Sequence, residues 1–210
     1  MTSGGLEFLS ILWNAAEALA SPDLGTRRSG LERLVEIDAA RSSSLVVYVL
    51  ATHLNEPDLG LRSRIVKVLA DVLRQDGRDG RDSEAVKSRL TGYLAQMRTR
   101  QIFALLQVAE FDPSTEPMVS RLLATSSFAG EHLGGILNNR QMPLPIRKRA
   151  IQFVEQIGYM DAIPCLERLV GRLEARKNGK NGTGELNPMD GDEASLLLLG
   201  QNTLARLRAP

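Results

Sequence analysis

Apolar residues recur along this chain at intervals of three and four, and the rhythm breaks at proline, glycine and aspartate. That spacing lays them along one face of a helix. The clearest run occurs twice: the tetrapeptide PDLG stands at residues 22–25 and again at 57–60, an offset of 57 − 22 = 35. Behind the two copies Arg27 aligns with Arg62, Leu31 with Val66, and Leu34 with Leu69. A third copy lacks the tetrapeptide but follows Pro145, with Arg147, Ile151 and Val154 in the same three places. Proline suits a first helical turn because its missing N–H has no intrahelical partner there. Asp23 and Asp58 add capping oxygens and a charge that complements the helix dipole. PDLG is therefore a helix-start device.

A second helix follows each first one. The chain turns through residues 42–44 into LVVYVLATHL, and through 158–161 into AIPCLERLVGRL. In the latter Ile163, Leu166, Leu169, Val170 and Leu173 form an apolar stripe. Residues 45–50 hold enough valine for a buried strand, but their place in the repeat predicts a helix. This helix–turn–helix pattern resembles HEAT repeats. IRKRA at 146–150 followed by DAIPCL at 161–166 is most similar to the bacterial, lyase-type form, in which a helix with an early Arg precedes an "AIP-x-L" helix.

The resemblance covers residues 21–97 and 144–175, whereas 99–142 matches only in being helical. There, helices are predicted over 101–111, 116–125 and 128–139. Gly130, Gly134 and Gly135 weaken the last of these by about 1 kcal/mol each; close packing and a break in the helix are both open readings. DGRDGRD at 76–82 reads as a charged connection, and residues 177–192, with two Asn-Gly signals, as a long loop. The resemblance implies an all-α superhelix, a solenoid of roughly five hairpins in one array, because a hairpin with one apolar face needs a neighbour to bury it. Its expected parts are a cap helix over 1–20, repeats over 21–176 that are degenerate at 99–142, the loop at 177–192, and a second cap over 193–210.

Charge changes the picture little. Over 210 residues, 26 Lys and Arg balance 25 Asp and Glu, so the net charge of +1 supplies no global field for nucleic acid or an anionic membrane. With 43% hydrophobic residues the chain can bury a continuous core. Cys165 is the single cysteine, which excludes an intrachain disulfide and a thiolate-rich zinc site. Residues 6–20 are apolar enough to resemble a signal sequence, but they lack a positive leading region, carry Glu7 and Glu17, and fall short of the roughly 20 residues a bilayer requires. They read as a buried helix, and the protein as cytoplasmic. Asn181-Gly182-Thr183 matches a glycosylation acceptor by chance on that reading.

Candidate chemistry is sparse. His53 and His132 have no second ligand at a metal-binding spacing, and Cys165 sits in an apolar stripe, where a thiol is a small hydrophobe. Asp76, Asp79 and Asp82 do not follow the calcium-loop spacing. Gly179, Gly182 and Gly184 lack the strand before and the lysine after that a phosphate loop needs. No cofactor, metal or catalytic cluster is expected. Arg27 and Arg28, Arg62 and Arg64, and Arg147 to Arg149 recur at helix starts. The resemblance makes Arg27, Arg62 and Arg147 structural positions that bond a neighbouring repeat; the other reading is a ridge for nucleic-acid phosphates. The favoured function is a non-enzymatic scaffold or adaptor that binds a protein or peptide on the concave surface formed by second helices, through Lys87, Arg168 and Arg172, with the 177–192 loop folding over it. A nucleic-acid-binding HEAT-like solenoid with glycosylase-like activity ranks second, and an enzyme acting on a bilin-like chromophore last.

Overall fold

The computed structural model describes residues 3–74, 80–178 and 191–209. Among them there is no strand, and the all-α expectation holds. The helices are α1 (Ser3–Ala18), α2 (Leu24–Glu36), the single turn α3 (Ala39–Ser42), α4 (Ser44–Thr52), α5 (Leu59–Arg74) and α6 (Gly80–Leu94). They continue with α7 (Thr99–Phe111), α8 (Glu116–Ala124), α9 (Ala129–Asn138), α10 (Leu144–Ile157), α11 (Ile163–Lys177) and α12 (Gly191–Arg208). The valine-rich segment is α4, capped by Ser43, whose hydroxyl accepts from Val46 N. The expected connection at 76–82 and loop at 177–192 fall largely outside the described residues.

Both PDLG copies begin a helix by the same device. Asp23 Oδ2 accepts from Thr26 N at 2.7 Å and Asp58 Oδ1 from Leu61 N at 2.8 Å. Those bonds favour the ionised carboxylates, so both aspartates titrate below the ordinary value of 3.8. Helix α10 ends at Gly158, whose φ of 83° lies in the left-handed region open to glycine. Its N–H and that of Tyr159 both return to Val154 O, which closes the last turn.

The chain divides into two compact units, one of Met1–Gln96 and Phe111–Ser126, the other of Met97–Glu110 and Ser127–Pro210. In the first unit α1 packs on α2, α2 on α5, α4 on α6, and α5 on α8. In the second, α9 packs on α10 and α11, and α12 on the same two helices. The aligned apolar positions are all buried: Leu31, Val66 and Ile151 in one row, and Leu34, Leu69 and Val154 in the other. Each such side chain contributes about 1.5–3 kcal/mol by leaving water. Helix α9 runs unbroken through its glycines. A Cβ on Gly134 would sit 2.8 Å from Cys165 Sγ, and one on Gly130 would collide with the Asp161 carboxylate. Of the two readings, close packing against α11 and the turn before it is what the fold uses at Gly130 and Gly134, whereas a Cβ on Gly135 would meet nothing within 4 Å.

Candidate functional site

A broad opening in the first unit lies between α4 and α6, the second helices of the two PDLG hairpins. Leu45 and Tyr48 face it from α4, and Ala85, Arg89, Gly92 and Tyr93 from α6; its volume is about 740 Å³. Positions 85, 89, 92, 93 and 96 follow helical spacing, so one face of α6 forms the wall. Tyr48 and Tyr93 meet edge to face with centroids 5.9 Å apart, and the Arg89 guanidinium lies 5.1 Å above the Tyr48 ring. A cation over a ring face holds both groups in place and leaves guanidinium N–H groups to donate elsewhere. Leu45 is 50% and Tyr48 41% exposed, so the groove presents apolar surface beside a positive charge. Ser44, Ser88 and Gln96 give it a polar rim. At Gly92 an added Cβ would meet nothing within 4 Å, so the missing side chain leaves the groove open.

Lys87 lies on α6 but does not line this groove, and its side chain is half-buried. Arg168 is exposed on α11, where its Nε donates to Pro164 O and its terminal nitrogen to Cys165 Sγ at 3.1 Å. Cys165 itself is half-buried. Arg172, one turn further on, is half-buried and donates to Asn138 Oδ1. Lys87 is in the first unit and the two arginines in the second.

The three aligned arginines are anchored inward. Arg27 pairs with Glu56 at 2.9 Å and donates to the carbonyls of Ser21 and Pro22, joining the start of one hairpin to the start of the next. Arg62 is buried and its Nε donates to Glu56 O at 2.6 Å. Arg147 is buried and its Nε donates to Leu137 O at 2.9 Å. Burial lowers the pKa of both buried arginines; the Glu56 charge opposes this at Arg62, whereas at Arg147 the charge of Arg172 adds to it, Glu193 opposes it and Arg140 adds again. Other arginines on these helices also hold carboxylates: Arg28 with Asp58, Arg64 with Glu32, and Arg149 with Glu110.

His53 Nδ1 sits 2.8 Å from Val49 O, and His132 Nδ1 3.0 Å from Thr99 Oγ1. Among the described residues no group of His, Cys, Asp or Glu is placed to hold a metal ion, and no helix is long and apolar enough to cross a membrane. No protein-family model, curated protein or solved structure matches the chain. The tyrosine–arginine groove was not anticipated from sequence. The signal was present in Tyr48 and Tyr93 on successive second helices, with a bare Gly92 one position before the latter.

Proposed function

We propose that this chain is a non-enzymatic, HEAT-like binding module, and that the groove between α4 and α6 takes a short segment of another protein. The observation that carries this reading is the pairing of exposed Leu45 and Tyr48 with an Arg89 guanidinium already oriented over the Tyr48 ring. Such a site suits a segment with an apolar or aromatic side chain beside an acidic one. The first would lie against Leu45 and the tyrosines, the second would accept from Arg89, and the rim of Ser44, Ser88 and Gln96 would bond the segment's main chain. Stacking of like helices, α2 with α5 and α4 with α6, favours a repeat architecture within this unit. The nucleic-acid reading loses ground because Arg27, Arg28, Arg64 and Arg149 are already paired with carboxylates.

Gly92→Trp tests the groove directly. An added Cβ at Gly92 meets nothing within 4 Å and opens onto the groove, and tryptophan is a better helix former than glycine, so the variant should keep or raise its Tm. A displayed peptide library panned on the wild type should enrich acidic–apolar segments. Their binding should vanish on Gly92→Trp and weaken at least about tenfold on Arg89→Ala. No enrichment, or enriched peptides indifferent to both changes, would reject this groove as the binding surface.

A further inference from the structure

Arg147 raises a question of charge. The aligned Arg62 has the acidic Glu56 six residues before it, but 147 − 6 = 141 is occupied by Gln141. What surrounds Arg147 among the described residues is predominantly positive charge. Arg140 from the α9–α10 connection, Arg172 and Arg176 from successive turns of α11, and Glu193 from α12 line a cavity of about 60 Å³ with it. Arg176 is ion-paired with Glu193. Among the lining residues that leaves four guanidiniums to one carboxylate, an excess of 4 − 1 = 3 positive charges.

Among the described residues, the hydrogen bonds of Arg147 and Arg172 go to neutral acceptors. Arg147 is only 9% exposed, and its bond to Leu137 O engages a neutral acceptor. Arg172 donates to the neutral amide oxygen of Asn138. Arg140 makes no hydrogen bond to a described residue and is exposed. Like charges held together at partial burial repel, and burial weakens the solvent's screening of that repulsion. A bound anion removes the cost.

We propose that Arg140, Arg147, Arg172 and Arg176 form a binding pocket for a phosphate group, borne by a small molecule or present as the free ion. Phosphate fits better than a carboxylate on three counts. It carries up to two negative charges against the excess of three. Its oxygens are arranged tetrahedrally, which matches donors arriving from three separate elements, whereas a carboxylate offers two oxygens in one plane. The cavity is of a size for the group alone. Nothing in this pocket depends on the groove in the other unit, so either assignment can fail without the other.

The experiment is calorimetric and thermal titration of the full chain with inorganic phosphate, phenyl phosphate and benzoate, each against chloride at equal ionic strength. Saturable binding of inorganic phosphate with a rise in Tm is expected. Arg172→Ala should weaken it about tenfold or more. Arg140→Glu places a carboxylate at an exposed position beside the pocket, so it should leave or raise the Tm in chloride while abolishing the phosphate response. Phenyl phosphate binding more tightly than inorganic phosphate identifies a monoester as the ligand, and equal or weaker binding identifies the free ion. The assignment is overturned if phosphate behaves as chloride does, if both variants bind like the wild type, or if benzoate matches phenyl phosphate.

Discussion

Arg62 in α5 and Arg147 in α10 occupy the same place in their helices, are both buried, and both give Nε to a main-chain carbonyl, yet they differ in what balances their charge. In the first unit the carboxylate of Glu56, 3% exposed, lies against Arg27 and lends its field to Arg62. In the second unit Gln141 stands at the corresponding position, and the charges that act on Arg147 are those of Arg172, Glu193 and Arg140, with Glu193 already paired with Arg176. Among the described residues, the first node sets one carboxylate against two guanidiniums and the second sets one against four. A structural arginine becomes a candidate binding residue by the loss of a partner, without any change in itself.

The largest effect should come from breaking the first of these nodes. Glu56→Gln removes the carboxylate charge that faces two guanidiniums in the first unit and should destabilise the chain by about 3 kcal/mol in urea unfolding, with no rescue by phosphate. Glu193→Gln removes the only carboxylate that lines the other pocket among the described residues; it should cost about 1 kcal/mol in chloride and be rescued by phosphate. Equal responses of the two variants to phosphate would erase the distinction between the nodes.

A smaller effect separates the units by acid. Asp112 accepts from Ser114, from Lys67 Nζ at 2.9 Å and from Ser63 Oγ at 3.1 Å, which together hold its carboxyl well below the usual carboxylate range. It shares the first unit with Asp23 and Asp58, whose folded pKa values are likewise below 3.8. The stability such groups contribute is complete above that value and is lost as pH falls through the lower folded values. Hydrogen exchange below about pH 4 should therefore rise first in the first unit, and Asp112→Asn should flatten the acid limb. The smallest effect is alkaline. Burial, then the Asp161 charge, pushes the Tyr159 hydroxyl up to about 12 from 10.0. Its contribution is complete below the unfolded value and lost as pH rises through the folded one, so Tyr159→Phe should soften the slope between the two in thermal melts.

What could be read from sequence was local. Asp23 and Asp58 announce helix starts because a cap bonds a backbone three residues away, and the 35-residue offset follows from two copies of that device. The roles of Gly130 and Gly134 could not be read, since Asp161 and Cys165 lie 161 − 130 = 165 − 134 = 31 residues on. Arg172 illustrates the same limit. A helical wheel turns it away from the apolar stripe of α11, but only tertiary packing brings Asn138, Arg140 and Arg147 to it. Lys87 projects from α6 away from its apolar stripe in a helical reading, whereas the groove is built from Tyr48 on α4 and from Arg89 and Tyr93 on another side of α6.

The tight seam between α9 and α11 bears on how a saturation scan of this protein would read. Gly134 would score as intolerant of every replacement, as a catalytic residue does, although what it supplies is absence of bulk next to Cys165. Gly92 would score as indifferent in any assay of folding and become visible only once a ligand is included in the selection. Intolerance at the seam measures room, and a second scan under ligand selection is what would separate room from recognition.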